Sequence, residues 1–265
     1  TEHFDPDYPV REGDMLDFSL DTKNYYKRYL DLKKIHTDDI TLLWGVELGL
    51  QSHVLPFLSD YVQQHPFDFV IASSHLCNGG DPYYPDFFEG RKEEDVYAEY
   101  FASILQNVTT FHDYDVYGHL DYIVRYGPNK DARYSYEKYR DIYDPILKTI
   151  IENNKGEGIM LGQEDNFEFC NCPKCIKRIE EDGTPTGVMM EFSNDIARRV
   201  RNWLNKKHPT RKLHISTFAY NATAFPPVKK DANSGEYVPL KVEYIAEDNL
   251  SVMVVPRNPA QSKSW

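Results

Sequence analysis

The sequence predicts an α/β chain built on parallel strands, as a sheet or a barrel, and two features carry that expectation. Short apolar, β-branched segments alternate several times with amphipathic segments of helical spacing. Three of the apolar segments lead to a side chain that binds metals, Glu47, His75 or His119. In α/β barrels reactive groups gather at such strand ends.

The elements follow in order. After a Pro- and Asp-rich opening, Thr22 to Lys34 places Tyr26, Tyr29, Leu30 and Leu32 at near-helical spacing, which predicts a helix. Ile40 to Glu47 is an apolar run that stops at a carboxylate, so it reads as a buried strand with Glu47 at its C-terminal end. Val54 to Gln64 predicts a second helix, and Phe67 to His75 a second buried strand. Asp95 to Thr110 is a long amphipathic stretch, followed by a short strand in Tyr114 to Asp121 with His119 at its exit. Tyr136 to Asn153 is one more helix, leading to a strand in Gly156 to Gly162.

Near residue 160 the character changes. A cysteine-rich turn, Cys170, Cys172 and Cys175, precedes a Gly-Thr-Pro-Thr-Gly turn and a helix from Val188 to Asn205. Strands at Leu213 to Tyr220 and Leu250 to Val255 flank a Pro-rich polar stretch, and Asn258 to Trp265 reads as a frayed tail or a truncation point. The expected division is 1–158 and 159–265.

The 265 residues carry 42 acidic against 30 basic side chains, a formal net charge of -12. That field repels phosphate backbones and anionic lipid, which argues against nucleic acid and membranes as partners. A small phosphorylated substrate remains compatible, because bound divalent cations would invert the potential inside one cleft. No apolar run is long enough to span a bilayer, and the N-terminus lacks a signal-peptide pattern. Four cysteines are too few for a disulfide framework at this length, so the cytoplasm is the expected compartment.

Histidine and carboxylate at successive strand ends are what a site for two or three cations needs, since imidazole and carboxylate suit Zn, Mn or Fe. Each residue alone has a structural reading, a satisfied histidine or an ion-paired glutamate. The expectation rests on their recurrence.

The segments Thr1 to His3, Gly45 to Leu50, Phe67 to His75, Asp81 to Tyr84, Phe88 to Arg91 and Val116 to Gly127 resemble the PHP-type (polymerase and histidinol phosphatase) metallophosphatases, in their histidinol-phosphatase branch. The resemblance covers about residues 1–158. It implies a distorted (β/α) barrel of TIM type and hydrolysis of L-histidinol phosphate, in histidine biosynthesis, with divalent cations activating a shared water. Carried over, it makes His3, Glu47, His75 and His119 metal ligands. Glu47, His75 and His119 would surround one cation, and Glu47 would bridge to a second. Arg125 is a candidate for phosphate contact, with a surface ion pair as the equal alternative.

The family's opening His-x-His pair and its closing Ser-Asp-Ala-His-like strand have no counterpart in this sequence, so the expected ligand set is incomplete and activity impaired. The chain begins at Thr1, without a Met, inside one motif, which suggests that the true N-terminus is missing.

From Leu161 the sequence is similar to a different family, a bacterial domain of unknown function associated with carbohydrate metabolism. The residues that carry this likeness are Leu161 to Asn166, Cys170 to Cys175, Phe192 to Ala197 and Thr217 to Tyr220. The expected whole is therefore a partial or hybrid (β/α) barrel, a chimera of two genes. Cys170, Cys172 and Cys175 have spacing that zinc thiolates favour, with a disulfide or three unlinked thiols as alternatives. Asp165 is either a sugar-handling carboxylate or a loop acid. The reading from a different class is a carbohydrate-binding or glycosidase-like module in the second segment, and a third is an inactive hybrid. The open edge of a partial barrel would favour a homo-oligomer.

Overall fold

Strand and helix alternate through the chain, which a computed structural model describes for residues 1–13, 18–36, 41–129, 136–153, 158–162, 169–170 and 172–255. It divides into two compact units, Thr1–Lys155 and Gly156–Trp265.

The first unit is built on four parallel strands in sequential order: β1 (Glu2–Phe4), β2 (Gly45–Gly49), β3 (Phe69–Ser73) and β4 (Val116–Tyr117). Four helices join or follow them: α1 (Thr22–Ile35), α2 (Leu55–Gln64), α3 (Glu93–Thr110) and α4 (Tyr136–Asn153). The Asp21 carboxylate starts α1 by accepting the backbone N–H of Asn24 at 3.0 Å. Pro56 sits in the first turn of α2, where a missing N–H costs nothing.

Two apolar clusters hold this unit. Val46 and Leu48 of β2, Val70 and Ala72 of β3, and Leu55, Leu58 and Tyr61 of α2 form one. Val96, Tyr97, Tyr100, Phe101, Ile104 and Val108, one stripe of α3, form the other with Tyr139 and Ile146 of α4. Because side chains alternate along a strand, Val46 and Leu48 face the first cluster and leave Glu47 pointing to the opposite side.

The second unit carries the parallel sheet β5 (Gly158–Leu161), β6 (His214–Ala219) and β9 (Leu250–Val254), and the antiparallel pair β7 (Val228–Lys230) and β8 (Tyr237–Pro239). Helices α5 (Pro173–Asp182) and α6 (Thr186–Lys207) precede β6, and α6 packs Met189, Met190 and Ala197 against Ile215, Tyr244 and Leu250. Gly183 ends α5 in the left-handed region at φ 69°, a conformation that glycine adopts without steric cost.

Three expectations change. Glu47 lies in the middle of β2, because the alternation continues through Leu48 and Gly49 pairs with Ser73. The strand β1 and the helix α5 have no apolar run long enough to announce them, and they form through pairing with β2 and through the proline at the start of α5. The helix α6 starts at Thr186, inside the expected turn, where buried Thr184 and Thr186 both donate to the Phe225 carbonyl. Asp165 lies outside the described residues. Among the described residues no helix is long and apolar enough to cross a membrane.

Candidate metal centre

The sheet of the first unit brings four predicted residues together. Register pairs His3 of β1 directly with Glu47 of β2, so both side chains leave the same face. His75 lies two residues beyond β3 and His119 two residues beyond β4, both just past the strands' C-terminal ends.

Glu47 is the hub. Its Oε1 lies 3.1 Å from Nε2 of His75 and 3.2 Å from Nε2 of His119, and it accepts the Ser73 hydroxyl at 2.8 Å. Its Oε2 faces the other way, 3.7 Å from Nε2 of His3. The two oxygens thus address different imidazoles, the arrangement a bridging carboxylate needs. Burial opposes ionisation of Glu47, but the hydrogen bonds from His119, His75 and Ser73 and the charge of His3 outweigh it. They hold the carboxyl well below the usual range.

Asp5, one residue after β1, completes the group and was not singled out in the sequence. It is 4% exposed, and its Oδ1 accepts from Nδ1 of His75 at 2.7 Å. That bond fixes the proton on Nδ1 and leaves Nε2 aimed at Glu47, as an outer carboxylate does behind a ligating histidine. Burial alone would lower the His75 pKa, but the bonds to Asp5 and Glu47 raise it to about 9. A strand ending on a carboxylate was the available signal for Asp5, but β1 is only three residues long.

The donor set fits a divalent cation on two counts. Atoms of Glu47, His75 and His119 lie within 4.8 Å of one another, as do atoms of His3, Asp5 and His75. The second oxygen of Asp5, Oδ2, is buried without a hydrogen-bond partner, which is costly unless a cation or water meets it. Exposure grades outward: the side chains of Asp5 and His75 are 3% and 10% exposed, those of His119 and His3 33% and 48%. The buried end is thereby shielded from solvent and the outer end open to it.

The scaffold behind His75 is polar and buried. Tyr100 of α3 donates to the Ser74 carbonyl at 2.7 Å, and Asn107 donates to Ser74 Oγ and to the Leu50 carbonyl, each at 3.3 Å. Gly49 makes room for Asp5, since a Cβ there would stand 1.8 Å from Asp5 Oδ1. Arg125 is exposed in the 3-10 turn Tyr122–Tyr126, whose Tyr122 ring packs against His75 and His119. A cleft of about 440 Å³ opens beside the ends of β2 and β3, lined by Leu50, Gln51, His53, Leu76 and Asn78 rather than by the cluster itself.

In the second unit the thiols of Cys170, Cys172 and Cys175 also converge, and all are free. The Cys172 thiol is lowered to about 7 by backbone and side-chain hydrogen bonds from Cys175 and Cys170. Burial, followed by the bonds to Cys172 and Cys170, raises Cys175 to about 12.

The PHP domain family matches residues 1–160, and a second family, described as a domain of unknown function (DUF4838), matches residues 136–252. A histidinol-phosphatase of Lactococcus lactis subsp. lactis (strain IL1403) is 31% identical over 241 residues, covering 88% of this chain and 84% of the relative. A probable histidinol-phosphatase of Clostridium acetobutylicum is 30% identical over 208 residues, covering 77% of this chain and 78% of the relative. The alignment to the first continues past residue 160, into the segment that the second family also matches. Among solved structures, the histidinol phosphate phosphatase of Lactococcus lactis, complexed with zinc, L-histidinol and phosphate, superposes with a TM-score of 0.54 at 30% identity. That superposition takes in 61% of this chain and 59% of the solved one. With a family match over more than half its length, and with histidine and carboxylate gathered on one sheet, the chain belongs to the PHP domain family.

Proposed function

We propose that the chain is a divalent-metal-dependent phosphomonoesterase of the histidinol-phosphatase type, converting L-histidinol phosphate and water to L-histidinol and phosphate. The observation that carries this is the Glu47 carboxylate, set between His3 on one oxygen and His75 with His119 on the other. The named relatives support the substrate. In this reading β1 to β4 are part of the distorted barrel of that family, and residues 1–158 are the hydrolytic portion.

His3, Glu47, His75 and His119 would hold the cations, with Asp5 at the buried end. Bound cations supply positive charge that acidifies a water and offsets the charge growing on the phosphoryl oxygens. The chain's own part is positional. Glu47 stays ionised across the physiological range and serves two imidazoles at once. With a cation bound, Asp5 would keep the His75 proton on Nδ1 and leave Nε2 to face the metal. The exposed sides of His3 and His119 leave the outer end accessible to a small phosphorylated substrate. Arg125 is assigned to phosphate contact from the solvent side.

Phosphate release from histidinol phosphate, measured with added Zn or Mn and again after chelation, tests the reading. Turnover that needs the metal and is lost in Glu47→Gln supports it. Turnover indifferent to chelator, or no turnover with the metal-loaded chain, overturns it.

A further inference from the structure

Three of the chain's four cysteines lie within six residues of the second unit, outside the histidine and carboxylate cluster. The fold gathers them at a helix start. Pro173 opens α5 and leaves Cys172 as the N-cap in an extended conformation, while Cys175 falls in the first turn. The Ile176 N–H donates to the Cys172 carbonyl at 2.9 Å, which closes that turn and brings the two side chains to the same end of the helix. Cys170, two residues before the N-cap, returns to the same point, and the three sulfurs lie within 4.8 Å of one another.

Such convergence has a chemical consequence. A thiol is a weak hydrogen-bonding group, so three of them gain little from meeting one another. A tetrahedral zinc with Zn–S bonds of about 2.3 Å needs its sulfurs about 3.8 Å apart, which falls inside the 4.8 Å limit within which the three sulfurs lie. A disulfide requires about 2.0 Å between two sulfurs and would leave the third thiol odd, whereas all three are free. Cys170 is exposed and Cys172 and Cys175 half-buried, so an ion can enter from solvent. Among the described residues no histidine or carboxylate joins the group, which leaves the fourth position for a ligand from outside it, such as water.

We propose that Cys170, Cys172 and Cys175 form a three-thiolate zinc site that fastens the start of α5, separate from and softer than the histidine and carboxylate centre. Thiolate selects zinc over the harder manganese or magnesium. The two centres of one chain would therefore separate by metal preference. The inference does not rest on the hydrolytic reading.

Cobalt distinguishes the centres, because only sulfur ligation gives an intense near-ultraviolet thiolate-to-cobalt absorption. The reduced chain, stripped of metal and reloaded with one equivalent of Co(II) per site, should show that band. The band should weaken by roughly a third or more in Cys172→Ser, which removes one of three thiolates, and keep its full intensity in His75→Ala. Absence of the band in the reloaded wild type, or its undiminished intensity in Cys172→Ser, would overturn the proposal. A second measurement needs no variant. Titration of the native chain with a disulfide reagent should find the three thiols slow with zinc bound, and at least tenfold faster after chelation. Equal rates with and without zinc, or a mass two hydrogens low under non-reducing conditions, would also overturn it.

Discussion

Asp5 and His75, seventy residues apart in the chain, form the most buried polar contact of the metal cluster, Oδ1 to Nδ1 at 2.7 Å. Asp5 touches the imidazole on the side away from Glu47, so it governs how His75 presents Nε2. Asp5→Asn keeps the shape and removes the charge. Expected is a roughly 10–100-fold loss of metal affinity or activity, with the fold retained. Metal titration of the variant against wild type, with circular dichroism as the fold control, checks this. Wild-type affinity in Asp5→Asn would mean that His75 is held by its strand alone.

Gly49 should tolerate no side chain. A methyl group there would meet Asp5 Oδ1 at 1.8 Å and Asp5 Cβ at 3.0 Å. Asp5 cannot swing aside without releasing His75. Gly49→Ala is expected to destabilise by about 1–3 kcal/mol and to weaken metal binding in parallel. Chemical denaturation measures the first and a metal titration the second. At Gly183 the same substitution meets nothing within 4 Å and costs only backbone strain, about 1–2 kcal/mol, with metal binding unchanged.

Asn107 is buried in α3 and bonds both the Leu50 carbonyl and the Ser74 hydroxyl. Asn107→Ala takes the side-chain donor from the buried Leu50 carbonyl, while the Ser74 hydroxyl keeps its bond to Tyr117 at 2.6 Å, and is expected to cost about 1–3 kcal/mol. Because Ser74 adjoins His75, turnover should fall more than substrate affinity. Steady-state kinetics on histidinol phosphate would separate the two, and unchanged turnover would confine Asn107 to a stabilising role.

Cys77 is buried and should behave differently from exposed Cys170. Burial raises its thiol to about 11, against an ordinary value of 9.0. The fold thus favours the neutral thiol. That contribution is present in full below pH 9 and lost as pH rises through 11. Alkylation of the native chain should therefore leave Cys77 unmodified at pH 8, and peptide mass mapping reads the result. Modification of Cys77 as fast as that of exposed Cys170 would contradict the burial that sets its pKa.

The candidate ligands were legible for a local reason. Val46 and Leu48 flank Glu47 in an alternating pattern, and the apolar run Phe69 to Ala72 leads straight to His75, so each reactive group stands out against its own strand. Asp5 was missed because β1 is three residues long and owes its existence to register with β2. Helix α5 was hidden by its charged sequence and the cysteine turn before it, and Tyr136 to Asn153 was read correctly because its apolar stripe is long.

The sequence alone determined which residue types could bind metal and that parallel strands would present them, because strand periodicity and side-chain chemistry are local properties. Only the tertiary structure decided that Glu47 divides its two oxygens between different histidines and that Asp5 backs His75. Those contacts join residues tens of positions apart, and strand register, which no single segment encodes, sets them.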